Sequence, residues 1–196
     1  MHISIEGMDG VGNTTIAKRI AEALDYTFVE KPLHHLFDSE FEYSNYLRIR
    51  DYINKQPDRV LSSWFYGLGN LYLYHKYDNQ NIVTDRHLLS NYGWSGTIES
   101  EPVFDLLIEQ LGSPNFTFIL YADENEIKNR LLKRNSCDVD NDIQKIEYVS
   151  TFYPKIESFC LKHGIHYKFI DSTKLTEDDI VKIILIHIKE NENVQP

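Results

Sequence analysis

At 196 residues with 42% apolar content, the chain is long enough to bury a full core without disulfides or metals, and one domain spanning 1–196 is expected. A formal net charge of -10 with no basic run argues against binding along duplex DNA or an anionic membrane and leaves small anions held in a local pocket. Cys137 and Cys160 stand far apart and outside any metal spacing, no apolar run approaches the ~20 residues of a membrane span, and the chain opens directly into a strand pattern, so a soluble protein of the reducing cytoplasm is expected.

The first element, MHISIE, reads as a strand, and GMDGVGNTT follows it at residues 7–15. This stretch fits the phosphate-cradling pattern G-x-x-x-x-G-K-[ST] at Gly7, Gly12 and Thr14, with Asn13 where the pattern has lysine. Gly7, Gly10 and Gly12 supply the positive φ and the close backbone approach that let the N–H groups of Val11 to Thr15 and a helix N-terminus converge on phosphate oxygens. Thr14 falls in the first helical turn, where its hydroxyl can hold the Mg²⁺ of a bound ATP. Behind it Ile16, Ile20 and Leu24 recur at one-turn spacing, as a helix packed on a sheet requires. The ligand-free alternative is an ordinary glycine-rich strand-to-helix turn. Asn13 keeps a short neutral amide donor but loses both reach and charge, so nucleotide binding is expected to survive while turnover falls. Lys31, Arg86, Arg130 and Arg134 are the candidates to compensate, and Lys18, five residues along the helix, is not.

Next come the strand YTFVE and a helical region over 39–77 that Pro57 divides, on the rule that proline is tolerated in a first helical turn and not in an interior. The strand NIVTD delivers Asp85 and Arg86 at its C-terminal end, where open parallel sheets bind ligands. NFTFILYA is a fourth strand, Asp123 caps the helix after it, Gly164 ends a helix from about 142 to 162, HYKFID is a fifth strand, and Thr176 opens the last helix with acidic residues in its first turn. Strands alternating with helices predict a parallel sheet covered on both faces.

GMDGVGNTT with Asp9, together with Asp85-Arg86-His87-Leu88-Leu89-Ser90 and YADENEIKNRLLKRN at 121–135, resembles the thymidylate kinase family and, more distantly, the deoxynucleoside kinases. The resemblance covers essentially the whole chain. It implies a P-loop three-layer α/β/α fold with a five-stranded parallel sheet in the order 2-3-1-4-5 and a lid at about 130–142. It implies transfer of the ATP γ-phosphoryl group, with Mg²⁺ at Thr14 and Asp85, to a deoxynucleoside monophosphate such as dTMP. Asp9, Asp85, Arg86 and the lid arginines Arg130 and Arg134 would be catalytic, and Glu30 and Lys31 would lie in the acceptor loop. Among Trp64, Phe65 and Tyr66 one would stack on the base. Asn70 lies near the place of the arginine that reads thymine in the family, Ser90 and Asn91 would hydrogen-bond the base, and Trp94 would crowd the sugar 2' position. No arginine occurs between Arg59 and Arg86, so thymine specificity is left open. A deoxynucleoside kinase with Glu30 as base, and a weakly catalytic nucleotide-binding homologue, stay open beside the leading reading. The resemblance also implies a homodimer. His34-His35 is assigned no metal.

Overall fold

The computed structural model describes residues 1–39, 42–133 and 145–191. Arg134, Cys137 and most of the expected lid lie outside the described residues. Five strands, β1 (His2–Glu6), β2 (Thr27–Glu30), β3 (Ile82–Asp85), β4 (Phe116–Tyr121) and β5 (Tyr167–Asp171), form one parallel sheet in the order β2-β3-β1-β4-β5. Each is joined to the next by helical crossovers, because parallel neighbours cannot be linked by a tight turn.

The helices divide between the two faces according to the side-chain alternation of the central strands. On one face α1 (Asn13–Leu24), α6 (Glu124–Leu132) and α8 (Glu177–Asn191) pack Ile16, Ile20, Ile127, Leu131, Ile180 and Ile184 against Ile3, Ile5, Phe118 and Leu120. On the other, α4 (Leu88–Ser95), α5 (Glu101–Leu111) and α7 (Val149–His163) bring Leu88, Phe104, Leu107, Phe152, Ile156 and Phe159 onto Ile119. Neighbouring Phe118 and Ile119 thus enter different cores, as the period of two in a strand requires. Helix α3 (Arg59–Lys76) lies against α4 and α5 and packs Leu73 on Val29 and Ile82, and α2 (Ser44–Asn54) packs on α3.

Local signals act largely as their chemistry directs. Asp123 accepts the Glu126 N–H at 2.9 Å, and Thr176 and Asp179 exchange bonds across the first turn of α8. Gly164 ends α7 in the left-handed conformation at φ 63°. Pro57 divides the helical region as expected, standing between α2 and α3, although it precedes the first turn of α3, whose N-cap Asp58 accepts from Val60 and Leu61 at 2.9 and 3.2 Å. Pro154 lies inside α7, within the helix expected over about 142–162. The packing of Phe152, Ile156 and Phe159 into the core outweighs the hydrogen bond that Pro154 cannot donate.

Candidate active site

The loop after β1 takes the conformation its glycines permit. Gly7, Gly10 and Gly12 have φ of 146°, 90° and 105°. A Cβ on Gly7 would meet the Leu120 carbonyl oxygen at 2.5 Å, so only glycine fits between the loop and β4. Gly12 is the N-cap of α1, and the helix begins at Asn13. The Asn13 side chain turns inward: its amide donates to the Gly7 carbonyl at 3.0 Å and the Met8 carbonyl at 3.2 Å. This corrects the expectation that Asn13 offers an amide to phosphate. The group is buried and spends its N–H bonds on the loop itself, holding the loop closed from beneath.

Opposite the loop stand the ends of three adjacent strands. Asp85 is level with Glu30 on β2 and with Ile5 on β1. The Thr14 hydroxyl donates to Asp85 Oδ2, while Asp85 Oδ1 is buried without a partner among the described residues. An orphaned carboxylate oxygen beside a hydroxyl is a hard-oxygen donor set that suits Mg²⁺. Arg86 follows at φ 70°, a left-handed conformation uncommon outside glycine. Its N–H donates to the Ile5 carbonyl at 2.9 Å and its Nη2 to Asp9 Oδ1 at 2.5 Å. Lys145, in a single 3-10 turn over Lys145–Tyr148, donates to Asp9 Oδ2 at 3.2 Å and lies 5.8 Å from the centre of the Trp94 ring. Burial by itself would raise the Asp9 carboxyl, but Arg86 and Lys145 outweigh it and hold that group well below the usual carboxylate range. Asp9 therefore stays ionised, and two cations meet one carboxylate.

Beneath this cluster lies a carboxylate that sequence reasoning passed over. Glu6 Oε2 accepts from the Ser90 hydroxyl at 2.5 Å and from the N–H groups of His87 and Ser90 at 3.1 and 3.0 Å. Burial raises its carboxyl, with these hydrogen bonds opposing. Glu6 thus satisfies the N-terminus of α4 and keeps the Arg86 turn in place. Ser90, expected to hydrogen-bond a base, is engaged here and also accepts from the Gly7 N–H at 3.4 Å, tying the loop to the helix. A visible clue was a charged residue ending an otherwise buried strand.

On the side of β2, Lys31 pairs with Glu30, and burial lowers its ammonium against the opposing charge of Asp85. Phe65 lies among Phe37, Tyr46 and Tyr66, its ring near parallel to those of Phe37 and Tyr46. Trp64 points outward and is half exposed, which removes it as the stacking candidate. The Tyr66 hydroxyl donates to Asn54 at 2.8 Å, and the phenols of Tyr46 and Tyr66, pushed up by burial, both feel the charges of Arg50 and Arg86. Tyr46 and Arg50 were not anticipated, because nothing local distinguishes them on an amphipathic helix. Asn91 donates to the Ser63 carbonyl at 3.4 Å and leaves its Oδ1 buried and open, while buried Asn70 leaves its Nδ2 open. The rings of His34 and His35 lie 3.8 Å apart, tilted by 39°, and His34 Nδ1 lies 2.8 Å from the Lys31 carbonyl oxygen.

Arg130 stands elsewhere than expected. Its guanidinium bonds Glu126 at 2.7 Å, the Ser172 carbonyl at 2.6 Å, the Ser172 hydroxyl at 3.1 Å and the Val11 carbonyl at 3.4 Å. It lines a cavity of about 320 Å³ with Gly10, Gly12, Thr15, Leu175 and Thr176, on the outer side of the loop. These bonds place it in the wall of that cavity, away from Asp9 and Arg86.

No family model matches the chain. A probable thymidylate kinase of Metallosphaera sedula is 25% identical over 177 residues, covering 87% of this chain and 84% of that protein. A cytidylate kinase of Mesomycoplasma hyopneumoniae is 25% identical over 209 residues, covering 94% and 91%. At this level of identity the chain is similar to nucleoside monophosphate kinases. Among solved structures, the thymidylate kinase of Candida albicans superposes with a TM-score of 0.68 at 18% identity, covering 99% of this chain and 93% of that one. The deoxyadenosine kinase of M. mycoides with bound dCTP gives 0.62 at 19%, covering 97% and 100%. At such identities the superpositions establish the shared P-loop kinase fold.

Proposed function

We propose that the chain moves the γ-phosphoryl group of ATP onto the phosphate of a deoxynucleoside monophosphate. The observation that carries this reading is the meeting of Asp9, Arg86 and Lys145 opposite the Thr14–Asp85 pair, at the C-terminal edge of the sheet. In the reaction the bond from the γ-phosphorus to the β–γ bridging oxygen breaks, and its electron pair stays on ADP. A bond forms from an acceptor phosphate oxygen. Protein groups mostly position these partners and neutralise the charge that spreads over the transferring group.

The loop N–H groups and the N-terminus of α1 hold the donor phosphates, and the cavity lined by Arg130 and Thr176 takes the donor base. Thr14 and Asp85 would hold Mg²⁺, which supplies charge neutralisation between donor oxygens. Arg86, a planar fork with permanent charge, bridges the acceptor and transferring phosphates. Phe65 offers its ring to the acceptor base, and the open ends of Asn70 and Asn91 supply one donor and one acceptor for its edge. Glu30 is paired with Lys31, so the acceptor side carries more positive charge than free carboxylate, which favours a phosphate acceptor over a hydroxyl needing a base.

A second reading, a nucleotide-binding homologue with slow turnover, is favoured by the inward-turned Asn13. Helix α3 supports a homodimer: Leu61, Trp64, Leu68 and Leu71 recur along one stripe and are exposed. A coupled assay of ATP consumption with Mg²⁺ against deoxynucleosides and their monophosphates tests the reading. Turnover with monophosphates, reduced on the order of 10²-fold or more in Arg86→Ala, is the expected result. Turnover with nucleosides alone makes the chain a nucleoside kinase, and saturable ATP binding with no turnover on any acceptor makes it a binding protein.

A further inference from the structure

Removing lysine from the phosphate loop leaves a question of charge that three observations answer together. The side chain in its place is neutral, buried and bonded to the loop's own carbonyls, so position 13 offers a phosphate no side-chain charge. A different ammonium stands at the loop: Lys145 meets Asp9 at 3.2 Å, on the carboxylate oxygen opposite the one that takes Arg86. The helix that directly follows the Lys145 turn, α7, is braced to the same loop. The Tyr153 hydroxyl accepts the Met8 N–H at 3.4 Å and donates to the Leu120 carbonyl at 3.1 Å, while Trp94 packs 4.9 Å from Phe152 and lies under the ammonium.

We propose that Lys145 supplies, from the segment following the lid, the positive charge that the phosphate loop lacks at Asn13, and that it contacts the polyphosphate of the donor during transfer. The inference rests on the kinase reading above and gives Lys145, which that reading places beside Asp9, a role toward the donor phosphates that the reading leaves unassigned. Asp9 takes Arg86 on one oxygen and Lys145 on the other, so a phosphate oxygen arriving at the loop can replace the carboxylate as the partner of the ammonium. Lysine is suited to the place. A compact ammonium on a flexible four-carbon stem can exchange Asp9 for a phosphate oxygen by rotating its side chain, with no change in the braced backbone.

The test is a complementation between positions 13 and 145. Lys145→Met should lower kcat on the order of 10²-fold with a smaller change in KM for the acceptor, and Lys145→Arg should recover at least about tenfold of the loss. Asn13→Lys should rescue Lys145→Met by at least about tenfold while changing the parent much less, because only in the double variant does the loop lysine fill an absent charge. A Lys145→Met variant within about threefold of the parent overturns the proposal, as does a loss relieved neither by Lys145→Arg nor by adding Asn13→Lys. Should Asn13→Lys fail to fold, the comparison of Lys145→Met with Lys145→Arg decides alone. If the parent chain turns over no acceptor, the kinase reading fails separately, and titration with inorganic tripolyphosphate and Mg²⁺ judges Lys145. At least about tenfold weaker binding in Lys145→Met supports the charge role, and unchanged binding ends it.

Discussion

His87 shows how a side chain next to the site links the fold to pH. Its ring lies 4.9 Å from that of His2 and 5.6 Å from that of Tyr74, and its Nε2 is buried without a partner among the described residues. Burial pushes its pKa from 6.5 down to about 3. Because the folded value lies below the unfolded one, the contribution of the neutral ring is complete above pH 6.5 and is lost as pH falls towards 3, at about 1.4 kcal/mol per unit. His2 is lowered for the same reason and adds to the slope, whereas Glu6, raised by burial, opposes it by favouring the folded state as it takes up a proton. Urea unfolding of the parent and of His87→Phe between about pH 7 and pH 5 should show a shallower loss in the variant. Parallel curves would mean that the ring is not held neutral. Other residues answer to different forces. Asp9, Asp85 and Arg86 were identifiable individually, because their chemistry and spacing are local. Glu6 and Lys145 were not, since Lys145 lies 136 positions from Asp9 and only packing brings them together.

At the scale of elements, the contact between α4 and α7 positions Trp94 beneath Lys145. That contact depends on Gly93, where an added Cβ would overlap the Phe152 ring. Alanine in a helix gains up to about 1 kcal/mol over glycine, but overpacking a tight core costs about 1–3 kcal/mol, so the second effect wins. Gly93→Ala should therefore lower Tm. Adding Phe152→Leu should recover part of the loss, since the smaller side chain clears the space, and a thermal-melt cycle over the four proteins would reveal purely additive costs if the contact is not shared. The same contact explains which elements sequence patterns describe well. Strands and capped helices announce themselves through period, caps and glycines within a few residues. Helix α7 announces its end through Gly164, while its tolerance of Pro154 comes from the core face it buries against β4 and α4.

For the whole molecule, the sheet order places the ends of β2, β3 and β1 side by side, so the loop after β2, the Asp85-Arg86 turn and the glycine loop converge although they are remote in the chain. The exposed stripe of α3 lies outside that convergence and is the proposed dimer contact. A charge at its middle should break a dimer held by apolar burial, so Leu68→Asp is expected to shift sedimentation from dimer to monomer with little change in melting of the monomer. A parent that sediments as a monomer at micromolar concentration would remove the dimer proposal. By itself the sequence determined the alternation of strands and helices, the glycine loop and the charged pair after β3, because period, turn chemistry and motif spacing are properties of neighbours along the chain. The tertiary structure decided that Asn13 turns inward, that Ser90 serves Glu6, that Arg130 walls the cavity beside the glycine loop and that Lys145 stands at Asp9. Each of these depends on where a side chain finds its hydrogen-bond partner once distant segments are packed, and that choice is made in space, not along the chain.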